Sequence, residues 1–510
     1  MNRSESGASL ANEQDAPLLR QLRARPSFVS VLVLVPVVLL IDGYHPFAND
    51  AGIYVAGIRH ILDSGLYPLN SVFISVFTRV ALFAGLVAAL VGISHISLTW
   101  ALFAIHLFSI LLFLEACRRL ANCVFDSELN RTCSVLLSAA CCALPVAGTA
   151  LVLMDPYLTA RSFSTPLSLM AISACVDRRW LRTVVLLALA TAMHPLMGTF
   201  SVVFVILLAL ISSGRISAAV ALCAAAIVAS AAAFATAHGV PVSDDYRQAV
   251  SLAPRSFLFL TRWRWYEILG LVLPLFLFGL TLRRFHRSTR IGSLCLVCIL
   301  LGSTSVVISA FFVPQAGPYP LVRFQILRSF HVIYAVGVVL CGGMLGALIK
   351  RSRPAAFGLV VLIFTGMFVA QRASWPDCNH VEWPGLSPSN PYEQAFLWIR
   401  NHTPPNAVFA FDPQLAYRHG EDEQGFRAIS ERDHLADDKD AGVVAVIPRL
   451  ADRWARQRNA EFSVNRMTDA ERAATLGPLG ADWLLLAPEA QTGLSCPYRN
   501  RVVQLCRLTR

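Results

Sequence analysis

Three carboxylates and two histidines crowd residues 41–68, Asp42, Asp50, Asp63, His45 and His60, together with Tyr54. They follow directly on the first apolar segment. A carboxylate held at such a place can act as a general base or orient a hydroxyl nucleophile. Cations supply the second ingredient. Arg161 stands six residues after Asp155, in Asp155-Pro-Tyr-Leu-Thr-Ala-Arg161. Arg323, Arg328 and His331 lie around Phe324 and Phe330, and Arg328 and His331, three apart, share a helix face. A guanidinium can grip phosphate with a bidentate fork, and charge building on a phosphate leaving group calls for such partners. His194-Pro195 marks a tight turn between two apolar runs.

Each of these has a plainer reading. Asp42 is either a second site carboxylate or a structural hydrogen-bonding group. Arg161 contacts phosphate, pairs with Asp155 or snorkels to lipid headgroups. Arg328 and His331 act on substrate or anchor to headgroups. A histidine placed like His194 is more often a helix-end hydrogen bonder. Asp437, Asp438 and Asp440 bind a cation or form a solvated polar loop. Arg432 and Lys439 touch an acceptor or a headgroup, or neither.

The elements that position these groups can be read next. Asn49 is placed to cap a helix that starts at Asp50. Tyr54, Ile58, Ile61 and Leu62 then share a face, the pattern of an amphipathic helix lying at a membrane interface. Asp50 falls in its first turn, near the positive end of the helix dipole, whereas Asp63 reads as a surface residue.

The chain has 510 residues, 55% of them hydrophobic and only 15% charged, with a mean hydropathy of +0.57. Soluble domains carry about 25% charge, and apolar runs of about 20 residues read as membrane-spanning helices. The net charge of +11 is therefore not a nucleic-acid signal, because the arginines cluster between the apolar runs. Residues 1–26 are a polar tail with Arg20, Arg23 and Arg25 just before the first span. No small-residue cleavage site follows, so that span reads as an uncleaved signal anchor.

Spans are expected at about 27–44, 98–116, 133–153, 163–176, 183–198, 199–213, 216–236, 265–281, 291–312, 326–348 and 355–371. The run at 71–93 decides the sidedness of the rest. If it does not cross, the inside connections carry Arg118, Arg119, Arg131, Arg178, Arg179, Arg182, Arg215, Arg283, Arg284, Arg287, Arg290, Lys350, Arg351 and Arg353, as the positive-inside rule requires. If it crosses, the rule is violated throughout. The expectation is a polytopic α-helical membrane protein with about eleven transmembrane helices. A large first outer loop, 45–96, would carry 71–93 on or dipping into the outer leaflet. The alternative is a real span with Arg79 facing the bundle. The N-terminus is then cytoplasmic and the C-terminus outside.

After the membrane region, 27–371, a Pro-, Ser- and Trp-rich linker covers 372–390. A soluble α/β domain is expected over 391–510. Strands are expected at 407–411, 428–430, 483–487 and 502–508, and helices at 391–401 and 449–460. Of thirteen cysteines, most lie in apolar runs as small hydrophobes. Cys496 and Cys506 flank a polar segment, where a disulfide is possible in an oxidising compartment. No metal pattern of paired CxxC is present.

An acidic residue at the start of an amphipathic helix, in an outer loop directly after the first span, resembles the C-type (GT-C) fold of integral-membrane glycosyltransferases. The matching stretch is Asn49-Asp50-Ala51-Gly52-Ile53-Tyr54, with one acid where the family commonly has a pair. Arg161-Ser-Phe-Ser164 is similar to an Arg-Thr-x-Ser-Asn-like turn of several branches. Trp398-Ile-Arg-Asn-His-Thr-Pro404 is similar to the entry helix of periplasmic domains in bacterial members. The resemblance implies a bacterial inner-membrane enzyme that moves a sugar from a polyprenyl-phosphate donor to a glycan, lipid or protein acceptor on the periplasmic face. It implies Asp50, with Asp42, as catalytic carboxylates. Tyr54, Asp155, Arg161, His194, Arg323, Arg328 and His331 would contact the lipid phosphate or substrate. No cofactor is required, though Asp42 and Asp50 could share a divalent cation. The competing classes are a transporter or flippase of a lipid-linked solute, for which internal repeats are expected and not seen, and a non-catalytic envelope-assembly protein.

Overall fold

The computed structural model describes residues 28–508 apart from 288, 350–352 and 416–424. The tail with Arg20, Arg23 and Arg25, and Lys350 and Arg351, lie outside the described residues. The chain is mostly helical. Its membrane part comprises α1 (Phe28–Asp42), α2 (Asp50–Leu62), α3 (Ser71–Val80), α4 (Leu82–Ser94), α5 (Leu98–Val124), α6 (Glu128–Ala140), α7 (Arg161–Val176), α8 (Trp180–Met193), α9 (Pro195–Ser212), α10 (Ile216–Ala237), α11 (Asp244–Ser251), α12 (Trp265–Arg284), α13 (Arg290–Phe312), α14 (Phe330–Ile349) and α15 (Arg353–Ser374).

This is a membrane protein: among the described residues, six helices are long and apolar enough to cross a bilayer. They are α5, α9, α10, α12, α13 and a segment running through α14 from Val322. Helices α1 and α8 and residues 358–374 are apolar but shorter. The run at 133–153 departs from the expected span. Only its first part is helical, as α6, and the chain then folds back through a bridge between Pro145 and Val152. Apolar residues here are buried against other helices, so hydropathy alone overstates the length of the helix. The run at 71–93 is not one straight helix either. Helices α3 and α4 meet at Ala81 with a bend of 96°.

The two ends of the bundle differ chemically. At one end Arg290 reaches the Cys123 carbonyl and Asp177, and Glu115 holds Arg118 and Arg119. Asp177 sits just past the last residue of α7, whereas Arg161 opens α7 at the opposite end.

Helix α2 is largely covered by protein over its first turns. Its residues Ala51, Gly52, Tyr54, Val55, Ala56, Gly57 and Ile58 are buried, with Ile61 and Leu62 left exposed. Gly57 makes this possible, because a Cβ there would lie 2.4 Å from Thr78 Cγ2 of α3. The protein, rather than the bilayer, takes up the apolar face.

The C-terminal part begins with α16 (Pro391–His402) and continues through β1 (Val408–Phe411), α17 (Phe426–Ser430), β2 (Asp433–His434), α18 (Ala441–Val446), α19 (Ala451–Glu461), α20 (Asp469–Leu476), β3 (Trp483–Leu486), β4 (Tyr498–Arg499) and β5 (Gln504–Arg507). The strand order is β2-β1-β3-β5-β4. Strands β2, β1 and β3 are parallel, and β5 and β4 close the edge antiparallel. Residues 428–430, expected as a strand, end the short helix α17, and the strand follows at Asp433. Cys496 and Cys506 form a disulfide.

The sheet docks on the first loop through polar contacts. The backbone N–H groups of Leu69 and Asn70 donate to Asp433 Oδ2 at 2.8 and 2.7 Å. Asn70 Nδ2 donates to the His434 carbonyl at 2.7 Å, and Tyr67 donates to the Arg427 carbonyl at 2.8 Å. Residues 67–70 of the first loop therefore meet the sheet directly.

Candidate functional site

Three other parts of the chain converge on Asp50. Arg161, at the start of α7, donates from Nη1 to Asp50 Oδ2 at 2.9 Å. Its Nη2 donates to both oxygens of Asp155, at 3.1 and 3.0 Å. An arginine at a helix N-terminus opposes the helix dipole, and the two carboxylates offset that. Lys439, in the turn after β2, brings Nζ to 3.4 Å from Asp50 Oδ1. Each Asp50 oxygen thus faces a different cation, while 30% of its side chain stays open. Burial raises the Asp50 carboxyl, but Lys439, Arg161 and Arg328 together hold it far below the usual carboxylate range.

Asn49 does occupy the cap position of α2, but its side chain makes no cap hydrogen bond. Its Oδ1 accepts from Lys439 Nζ at 2.8 Å instead. The cap oxygen is used to fix a lysine from the distant C-terminal part, and Asn49 takes up a positive φ of 48° to do so.

The open side of Asp50 faces a cavity of about 1090 Å³, mouth included. Its lining contains five cations, Arg161, Arg255, Arg323, Arg328 and Lys439, against the single carboxylate of Asp50. The remaining walls are largely apolar and include Phe77, Val80, Leu196 and Phe257. Arg328 lies over the Phe257 ring at 4.8 Å, and Arg323 over Phe324 at 5.1 Å. Among the described residues neither guanidinium meets a carboxylate within ion-pair distance, so both remain available to an anion. Helices α2, α7 and α9 all begin at this cavity, with Asp50, Arg161 and Pro195 as their first residues. The unpaired N–H groups of helix N-termini add further positive potential.

Tyr54 and His194 also line the cavity. Tyr54 is buried, and burial raises its hydroxyl above the ordinary range. His194 Nδ1 accepts from the Met197 N–H at 3.5 Å and so caps α9. Burial, together with Arg161 and Arg328, pushes its imidazole down to about 3, so it is neutral at ordinary pH.

Three sequence candidates stand elsewhere. Asp155 is buried behind Arg161, where it also accepts from Thr159 Oγ1 at 3.0 Å, and it acts on the cavity only through Arg161. His331 faces the Val152 and Leu153 carbonyls at 3.2 Å each, outside the cavity lining. Asp42 ends α1 as a buried group that accepts from the Ala143 N–H. The chain turns at Gly43 and carries Asp50 away from it, so the pair of carboxylates proposed for a cation is not assembled at the cavity.

Asp437, Asp438 and Asp440 are buried rather than solvated. Asp437 Oδ1 accepts from the Lys439 and Asp440 N–H groups at 3.0 and 2.9 Å. Asp438 pairs with Arg458 at 2.8 Å, and Asp440 takes a bidentate bond from Arg427 at 3.0 Å. The turn lies beyond the carboxyl end of parallel strand β2, the usual place for a ligand-binding loop in such sheets. Its buried pairs make a rigid mount for Lys439. Arg432 is likewise buried, held by the Thr403 and Arg400 carbonyls.

Arg255 and Phe257 were not legible as site residues. The signal in the sequence was an arginine followed two residues later by an aromatic in a connection between two expected spans. Arg255 donates to the Asp438 and Lys439 carbonyls at 3.1 and 2.7 Å, which ties the membrane part to the Lys439 turn. No family model matches this sequence, and no curated protein matches it.

Proposed function

We propose that this protein is a membrane glycosyltransferase of GT-C-like architecture, with about eleven spans, a cytoplasmic N-terminus and a periplasmic α/β domain in a bacterial inner membrane. It moves a sugar from a polyprenyl-phosphate donor to an acceptor. The observation that carries the reading is the pairing of one half-open carboxylate, Asp50, with five cations in an otherwise apolar cavity. Apolar walls suit a prenyl chain, the cations suit its phosphate, and the carboxylate suits an acceptor hydroxyl. The disulfide between Cys496 and Cys506 supports an oxidising location for the C-terminal part.

The donor is a phosphodiester with one negative charge. Transfer breaks its sugar–oxygen bond and leaves a phosphomonoester that carries up to two. Arg323 and Arg328 are placed to stabilise that growing charge. Asp50 in the empty field of Arg161 and Lys439 is a poor base. A phosphate bound among the same cations weakens that field and raises the basicity of Asp50, so it accepts the acceptor's proton only once donor is present.

The test is sugar transfer by purified protein in vesicles that contain a short-chain polyprenyl-phosphate sugar, with cell-envelope extract as acceptor source. Transfer that disappears in Asp50→Asn, with polyprenyl-phosphate binding retained, supports the reading. Movement of the lipid across the vesicle membrane without sugar transfer would identify a transporter instead.

A further inference from the structure

A second group of chemically active side chains lies away from the cavity. His45, Cys378 and Glu382 each offer a ligand atom, and these atoms all lie within 4.8 Å of one another. His45 Nδ1 and Glu382 Oε1 are 2.8 Å apart. His45 and Cys378 are buried, and Glu382 keeps only 13% of its side chain exposed. The residues come from two distant parts of the chain: His45 opens the first loop, and Cys378 and Glu382 lie in the linker.

The surroundings hold this trio in place. The linker pairs with the start of the first loop, with the Tyr44 N–H bonded to the His380 carbonyl and the Glu382 N–H bonded to the Tyr44 carbonyl, each at 3.0 Å. A Cβ on Gly43 would lie 2.3 Å from the His380 carbonyl oxygen, so glycine is required for this approach. The Trp375 ring stacks on His45 with centroids 4.6 Å apart. Asn390, buried at the start of α16, donates to Cys378 Sγ at 3.4 Å, the kind of outer hydrogen bond that steadies a thiolate ligand. The His45 N–H donates to the Pro156 carbonyl at 2.9 Å, next to Asp155.

We propose that His45, Cys378 and Glu382 bind one zinc ion, which clamps the linker to the first loop. Imidazole, thiolate and carboxylate are the three ligand types zinc takes, at bond lengths of about 2.0–2.3 Å. A tetrahedron with those bonds sets ligand atoms roughly 3.3–3.8 Å apart, so binding needs a small opening between His45 and Glu382 and a closing of at most about 1–1.5 Å between other pairs of the trio. Binding deprotonates the Cys378 thiol and replaces the His45–Glu382 contact with two bonds to the metal. Water completes the fourth position. The clamp is independent of the reaction proposed for the cavity.

The experiment uses the full-length protein purified without chelator, treated with a small excess of zinc chloride, desalted and assayed for metal. One zinc per chain is expected in the wild type and in Cys123→Ser, a thiol elsewhere, with loss in Cys378→Ser and Glu382→Gln. Cobalt loading of the wild type should give a near-ultraviolet thiolate-to-metal band, and chelator should lower the wild-type Tm without affecting that of Cys378→Ser. Wild-type protein that retains no zinc, or undiminished zinc in Cys378→Ser, overturns the proposal. Should Cys378→Ser not fold, a wild-type cobalt spectrum lacking the thiolate band overturns it equally.

Discussion

Lys439 Nζ stands 3.4 Å from Asp50 Oδ1, a contact between the C-terminal part and the first helix after the first span. The lysine is held by Asn49 on one side and by its own buried turn on the other. The contact joins the two halves of the molecule at the point where the proposed chemistry occurs, so the predictions begin with this pair.

Asp50→Asn keeps the shape of the side chain and removes its charge. Sugar transfer should fall by roughly 100-fold or more, the usual scale for loss of a positioned acid or base. Binding of a short-chain polyprenyl phosphate, measured by native mass spectrometry, should hold or tighten, because the cavity lining then loses its carboxylate. Weaker binding together with normal transfer would contradict the assignment.

The depressed Asp50 carboxyl has a pH signature. A group whose folded pKa lies below its unfolded value of about 3.9 stabilises the fold above that unfolded value. The contribution is lost as pH falls from there toward the folded pKa. The Tm difference between wild type and Asp50→Asn should therefore stay constant from about pH 5 to 8 and shrink below about pH 4. Buried neutral His194 lowers Tm as pH falls through its unfolded value of about 6.5 in wild type and variant alike, so that step cancels in the difference. In Lys439→Met the shrinkage should begin at the same pH but be smaller and finish at higher pH, because one of the cations holding the folded Asp50 pKa down is gone.

Arg161 sits buried between two acids. Arg161→Met leaves Asp155 buried without its partner, and breaking such a pair typically costs about 3–5 kcal/mol. Thermal unfolding in detergent should show a large drop in Tm. Adding Asp155→Asn to that variant should recover part of it, whereas a purely steric role for Arg161 predicts no recovery.

Arg323→Ala and Arg328→Ala should weaken polyprenyl-phosphate binding about tenfold each, with little change in Tm, because among the described residues neither guanidinium is an ion-pair partner. The loss should be largest at low salt, since a phosphate contact of this kind is screened by ions.

The disulfide tests sidedness. Protein isolated without reductant should carry Cys496–Cys506 linked, as seen by a mass shift on reduction and alkylation. A phosphatase reporter fused at the C-terminus should be active. A reporter active only from the cytoplasm would reverse the proposed orientation.

The sequence by itself determined the class of the molecule and much of its secondary structure. Long apolar runs with arginines between them leave few alternatives to membrane helices, because the bilayer tolerates little else. Asp50 at the first turn of α2 and Arg161 near the start of a helix were legible from local spacing, as were the helix at Pro391 and strands β1, β3 and β5. Tertiary structure decided what local pattern cannot encode. The run at 133–153 looks like a span, yet folds back at half length, because burial against other helices satisfies the same hydropathy. Asn49 looks like a helix cap, yet its oxygen is taken by Lys439 from across the molecule. Asp437, Asp438 and Asp440 look like a solvated loop, yet are buried because Arg427, Arg458 and backbone N–H groups neutralise them. Asp42 and Asp50 are near neighbours in sequence but are parted by a turn at Gly43. Period and composition report on a residue's own helix or strand. Which charge meets which depends on contacts between residues hundreds of positions apart, and those exist only once the chain has folded.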